Sequence, residues 1–285
     1  MSAPTWRVLL DDATTRLRDD VDARRIVEEA TGWSPAELVL HLDEEATAIT
    51  HARWSTMVER RAAGEPLQYV LGSWGFRSLD LLVDRRVLIP RPETEHVVTI
   101  ALDALDDMGR VAAGEHRTAV VLGTGSGAIA ISFAVERPKV DVWATDRSAD
   151  ALAVARANLA GAGRPAARVR LLEGDWYDAL PPELAGTVDL IVANPPYIGA
   201  AEELPHEVRA WEPAEALVSG PTGLEAIEVI VAGARRWLRP GGALVVEIGA
   251  GQAADARRLA EAAGFAAVDV RPDPAGRPRA LRATG

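Results

Sequence analysis

Two short stretches of this chain carry residue types that could do chemistry. The first is Gly123-Thr124-Gly125-Ser126-Gly127, followed by Ala128. It lies between an apolar run that reads as a strand and an apolar stretch that opens a helix. Glycines let the backbone turn sharply and let a ligand lie against bare N–H groups at a helix N-terminus. Asp146 ends the next strand, 19 positions after Gly127, where a carboxylate can hold both hydroxyls of a ribose. Loop and carboxylate together predict a nucleoside site. They do not choose the ligand, because with Ala128 in the last place the loop also fits the dinucleotide fingerprint.

The second stretch decides. Asp189-Leu190-Ile191-Val192-Ala193 reads as a strand and runs into Asn194-Pro195-Pro196-Tyr197. Proline supplies no N–H, so the main chain there offers carbonyls with fewer competing donors. The Asn194 side-chain oxygen is a further acceptor, and Tyr197 can stack on a flat group. Two acceptors would hold a planar –NH2 in one plane, which suits an amide or an exocyclic amine such as that of adenine. An amide nitrogen is a poor nucleophile because its lone pair is delocalised. Acceptors that aim it at an electrophilic methyl gain strength as positive charge builds on nitrogen. Aligning nitrogen, methyl and a sulfonium sulfur is mainly a positioning problem. Neither a Ser/His/Asp set nor a metal cluster is required.

The elements that must position these residues are legible in the periodicity. Residues 1–66 read as a small helical bundle, with apolar positions Leu9, Leu10, Leu17, Val21, Ile26 and Val27 at helical spacing,. Ser34-Pro35-Ala36-Glu37 is a helix start, and 46–63 is a further amphipathic helix. Residues 67–91 read as a β-hairpin linker, built from LQYVLGSWGF and LDLLVDRRVLI, before a helix over 93–108,. Residues 92–285 then form one further domain. Strands are expected at Ala119–Leu122, Val140–Thr145, Val169–Glu173, Leu190–Ala193, Ala243–Ile248 and Ala266–Arg271. Helices are expected from Ala128, over Ala149–Leu159, over Leu224–Leu238 before Pro240-Gly241-Gly242, and over Ala253–Ala263. Such alternation predicts an α/β domain with a mostly parallel, Rossmann-like sheet covered on both faces.

Composition excludes several classes. The chain has 285 residues, 31 Lys and Arg against 42 Asp and Glu, and no cysteine. The net charge of −11 makes duplex DNA a poor partner, since that affinity comes mostly from phosphate neutralisation. Without cysteine there are no disulfides, thiolate zinc sites or thiol nucleophiles. His41, His51, His96, His116 and His206 show no ligand spacing, so no metal is expected. No apolar run approaches the ~20 residues of a membrane span, and the first residues become charged too soon for a signal peptide. A cytoplasmic protein is the expectation.

GTGSGAIA, ATDRSADALAVARANL, EGDW and DLIVANPPYI, in this order, resemble the class I S-adenosylmethionine-dependent methyltransferases. AGEPLQYVLGSWGF, VLIPRPETE and WLRPGGALVVEIGAGQ narrow the resemblance to the HemK/PrmC family, which methylates the glutamine of the Gly-Gly-Gln loop in peptide chain release factors. The resemblance covers almost the whole chain and is weakest over residues 1–55. It implies that Gly123, Thr124, Gly125, Ser126 and Gly127 line the methionine part of the cofactor, that Asp146 binds ribose, and that Asp175 and Trp176 sit by the adenine. It implies that Asn194, Pro195, Pro196 and Tyr197 hold the substrate glutamine beside the cofactor. Arg91, Pro92, Glu93 and Thr94 would close the wall of the site, and the helical front domain would dock the release factor. S-adenosylhomocysteine would be the product, and a monomer the active form. The bland alternatives are packing for Trp176 and a solvated pair before a helix for Arg91 and Glu93. Where the family carries an acidic residue two positions before the first glycine, this chain has Val121, and Glu247 ends another strand nearby in the order. Trp211-Glu212-Pro213 also resembles a family segment, without an evident mechanism. The alternatives are a glutamine methyltransferase acting on a ribosomal protein, a DNA N6-adenine methyltransferase, and a domain that binds a nucleotide and a partner without catalysis.

Overall fold

Helix-start signals are met near the beginning of the chain. The structure, a computed structural model, describes residues 3–109, 112 and 114–285. Helices α1 (Trp6–Leu17), α2 (Asp20–Thr31), α3 (Pro35–His41) and α4 (Ala48–Ala62) fill the block expected to be helical. Ser34 and Glu37 form a reciprocal capping box: the Glu37 carboxylate accepts from Ser34 N–H at 2.8 Å, and Ser34 Oγ accepts from Glu37 N–H at 3.3 Å,. The Ser34 N–H and the Ser34 hydroxyl, which donates to the same carboxylate at 2.8 Å, hold the Glu37 carboxyl below its usual range. Trp6, Leu9, Ile26, Val27, Trp54 and Val58 meet in one core,.

Residues 67–71 depart from the expected hairpin. They form a short helix, α5 (Leu67–Leu71), which follows Pro66 and ends at Gly72, where φ is +81°. A run of five residues carries too little periodicity to separate strand from helix, and the packing of Leu67 and Val70 into the helical core decides. Strand follows only in β1 (Ser73–Phe76) and β2 (Leu79–Leu82). Residues 83–91 have no regular helix or strand.

The described chain divides into two compact units, residues 3–74 with Pro205–Trp211, and Gly75–Leu204 with Glu212–Gly285. Helix α9 (His206–Trp211), not anticipated from sequence, belongs to the first. Arg61 ties it there, with Nε on Asp22 at 2.5 Å and Nη1 on Glu207 at 2.8 Å.

In the second unit, helix α6 (Pro92–Asp107) precedes the alternation β3 (Arg117–Leu122), α7 (Ala128–Glu136), β4 (Val140–Asp146), α8 (Ala149–Gly161), β5 (Val169–Glu173) and β6 (Val188–Ala193). Two very short strands, β7 (Ile198–Gly199) and β8 (Val218–Gly220), pair with each other. Then come α10 (Glu225–Trp237), β9 (Leu238–Glu247), α11 (Ala253–Ala262), β10 (Ala267–Pro272) and β11 (Pro278–Thr284). The main sheet has seven strands in the order β10-β11-β9-β6-β3-β4-β5. The five strands from β9 to β5 are parallel, and β11 is antiparallel to both its neighbours. This is the Rossmann-like α/β class. Strand β11 escaped the sequence reading, because its Pro278 and the charged Arg279 and Arg282 interrupt the apolar pattern. Strand β9 begins at Leu238 and passes through Pro240-Gly241-Gly242, where its register with β6 shifts. A bulge, not a loop, absorbs the Pro-Gly-Gly.

Alternate residues of the central strands feed two cores. Val121, Val192 and Val245 pack on the α6/α7 face, while Leu122, Ala193 and Val246 pack on the α10/α11 face,. Among the described residues no helix is long and apolar enough to cross a membrane.

Candidate active site

Strand register brings the chemistry into one row. Leu122 is level with Thr145 on one side and Ala193 on the other, and Ala193 is level with Val246. The next residues along these strands are Asp146, Gly123, Asn194 and Glu247. They end adjacent parallel strands where the chain order reverses about β3, which is where open α/β sheets bind ligands. A cavity of about 300 Å³ opens there, lined by Gly123, Thr124, Gly125, Ser126, Asp146, Asp175, Trp176, Asn194, Pro196 and Thr94.

The glycine loop is fastened from several sides. Gly125 N–H donates to Asp146 Oδ2 at 2.8 Å, and Ser148 N–H donates to Oδ1 at 2.9 Å. Each carboxylate oxygen thus keeps a lone pair for a ligand. Burial pushes the Asp146 carboxyl up, against the pull of these two donors. Gly123 has φ +67°, and a Cβ there would stand 3.3 Å from the Trp176 ring, so glycine is required both by conformation and by space. Trp176 itself has φ +43°, a strained conformation for a bulky side chain. Its carbonyl accepts from Thr145 Oγ1 at 2.8 Å, which helps hold the ring against the loop. Gly127 does not line the cavity. It lets α7 approach α8, since a Cβ would meet Ile131 and Ala155 at 3.1 and 3.4 Å.

The opposite wall depends on a relay that sequence spacing does not reveal. Asn194 Nδ2 donates to Thr94 Oγ1 at 3.0 Å, and Thr94 Oγ1 donates to Glu247 Oε2 at 2.7 Å. Thr94 and Glu247 are buried, at 4% and 1% exposure. Burial raises Glu247 to about 7, although Thr94 and Arg279 both pull it down.

The remaining expected residues lie behind this surface. Pro195 and Tyr197 do not line the cavity. The Tyr197 ring packs against the α10/α11 core, its carbonyl accepts from Gln252 Nε2 at 2.8 Å, and burial pushes its phenol up to about 12. Arg91 and Glu93 are also off the cavity surface. Arg91 pairs with buried Glu212, which also accepts from Ile89 N–H at 3.1 Å, and Glu93 pairs with Arg277 at 3.2 Å. Glu212 thereby gives Trp211-Glu212-Pro213 a physical task, tying residues 89–91 to the chain beside Pro213. Val121 is fully buried between Ala144 and Val192 in the sheet.

Comparison with known proteins gives the family. Residues 9–72 match the PrmC N-terminal domain and residues 102–209 the Methyltransferase small domain. A release factor glutamine methyltransferase of Burkholderia pseudomallei is 46% identical over 261 residues, covering 90% of this chain and 88% of that protein. The chain belongs to the release factor glutamine methyltransferase family. Another member, from Moorella thermoacetica, is 42% identical over 288 residues and covers 98% of both chains. A solved methyltransferase of Pyrococcus furiosus shares the fold, with a TM-score of 0.52, 19% identity, and coverage of 82% of this chain and 96% of that one. Family members thus match the helical unit as well as the sheet.

Proposed function

We propose that this chain methylates the side-chain amide nitrogen (N5) of the glutamine in the Gly-Gly-Gln loop of peptide chain release factors, acting in the cytoplasm as a monomer. The observation that carries this reading is the placement of Asn194 and Asp146 in one cavity, on facing walls either side of the Gly123 loop. S-adenosylmethionine, the methyl donor, supplies an electrophilic methyl on sulfonium sulfur when bound. The residues present fit that group. Asp146 offers two carboxylate oxygens for a ribose. Thr124 Oγ1 and Glu225 Oε2 are buried at the cavity with no hydrogen-bond partner among the described residues, as acceptors for a donor-bearing ligand would be. Val87, Leu88, Pro90, Ile129 and Val218 supply the apolar wall that a flat base and a thioether chain need,. Asp175 and Trp176 flank this wall for the adenine.

The chain's own work is to hold an amide. Asn194 Oδ1 accepts from the substrate –NH2, with the carbonyls of the Asn194-Pro195-Pro196 segment as further acceptors, and these bonds strengthen as charge builds on the nitrogen. The Tyr197 phenol keeps its proton at neutral pH and acts as packing beneath the segment. Arg91 and Glu93 shape the wall through Glu212 and Arg277. The test is mass spectrometry of the Gly-Gly-Gln peptide after incubating a release factor with enzyme and S-adenosylmethionine. One methyl on the glutamine side chain is expected. Methyl transfer to a ribosomal protein or to DNA, with none on the release factor, would overturn the assignment.

A further inference from the structure

The relay behind Asn194 bears on selectivity as well as structure. A threonine hydroxyl has one hydrogen. When Thr94 gives it to the Glu247 carboxylate, Oγ1 can only accept from its other neighbour. That neighbour must then present the NH2 end of its amide, which leaves Oδ1 for the cavity. The reversed amide would set Oδ1 against an oxygen with no hydrogen to give, and would turn two donors toward the ligand.

We propose that Thr94, backed by Glu247, is a positioning residue that locks the Asn194 amide with its oxygen toward the cavity and so selects a substrate group that donates N–H bonds over one that accepts. The proposal deepens the glutamine reading and rests on it for the identity of the substrate. The orientation itself follows from the two hydrogen bonds. The three residues are brought together from positions 94, 194 and 247 by the N-terminal turn of α6 and the ends of β6 and β9. A site that binds a buried N–H in this way rejects an isostere lacking it, because its acceptors are left unpaired.

The test compares the full-length chain with Thr94→Ser and Thr94→Val. Serine keeps the hydroxyl. Valine keeps the shape and removes both hydrogen bonds. Thr94→Val should lower kcat on the release factor by about 30-fold or more, with S-adenosylmethionine affinity within about twofold, while Thr94→Ser recovers kcat to within about threefold of the parent. Equal losses in both variants, or a Thr94→Val enzyme with parental kcat, would overturn the proposal. A measurement on the unaltered chain covers the case where valine prevents folding. Of the two side-chain amide protons of 15N-labelled Asn194, one should exchange with solvent at least about tenfold more slowly than the other, as expected for a buried donor in a hydrogen bond. Two equally fast protons would refute the lock. If the unaltered chain transfers no methyl to the release factor, the substrate assignment fails, and the exchange measurement still decides the relay.

Discussion

The two walls of the cavity are built in opposite ways. The wall at β3 and β4 comes from residues 123–126, 146 and 148, and its fastening bonds span fewer positions, 21 from Gly125 to Asp146 and two from Ser148 to Asp146. The wall at β6 and β9 depends on bonds that span 100 and 153 positions, Asn194 to Thr94 and Thr94 to Glu247. The local wall holds its shape through glycine dihedrals and main-chain donors. The distant wall holds its shape only once the sheet and α6 have packed. A local wall can be recognised in a short motif, whereas a distant one needs the fold.

Substitutions can separate the two. The largest effect is expected at the distant wall: Asn194→Ala should cut kcat by about 100- to 1000-fold, the usual cost of losing a transition-state acceptor or donor, with circular dichroism and cofactor affinity unchanged. Loss of cofactor affinity instead would mean that the walls are not separable. Asp146→Ala should do the reverse. Cofactor Kd, measured by calorimetry, should rise by about 10- to 100-fold, since two hydrogen bonds to a charged acceptor are lost, while kcat at saturating cofactor falls only severalfold. Unchanged affinity would remove Asp146 from the ribose site.

A smaller effect is expected with pH. Glu247 is raised to about 7 from an ordinary 4.5, so its contribution to stability is full below about pH 4.5 and is lost as pH rises through 7. Activity should move the other way. Ionised Glu247 leaves Thr94 a single hydrogen arrangement, whereas protonated Glu247 allows the Asn194 amide to reverse. The groups facing it are Thr94, Glu93 and Arg91 at the start of α6, Arg279 on β11, and Tyr197 after β6. A pH–rate profile should therefore rise through 7, and Glu247→Gln should flatten it with a severalfold loss of kcat. The smallest effect belongs to the helical unit. Ser34→Ala should cost about 1 kcal/mol of stability, the usual value for an N-cap, read as a shift in denaturation midpoint with catalysis unaltered.

Much of this was legible in the chain. The Ser34 capping box acts over three positions, and the glycine loop and Asp146 are joined across 21 positions within one strand–turn–helix–strand unit. The strand before Asn194 was clear because burial on both faces demands an unbroken apolar run. Leu67–Leu71 misled because a five-residue run satisfies strand and helix alike. Arg91 and Glu93 looked like site residues, and their partners Glu212 and Arg277 stand 121 and 184 positions away, beyond any periodicity. Gly127 looked like part of a ligand cradle, and its lack of a side chain serves helix packing instead. The strain at Trp176 left no sequence signal, because tryptophan has no preference for a left-handed backbone.

The excursion of Pro205–Trp211 into the company of the first helices has a practical side. The polypeptide crosses between its two compact units at 74/75, at 204/205 and again at 211/212. Cutting once near residue 74 would therefore not free a whole module, because the short return piece, with the Glu207 that Arg61 grips, would stay on the other fragment. Anyone transplanting the helical unit onto a different transferase must carry two pieces of chain, not one.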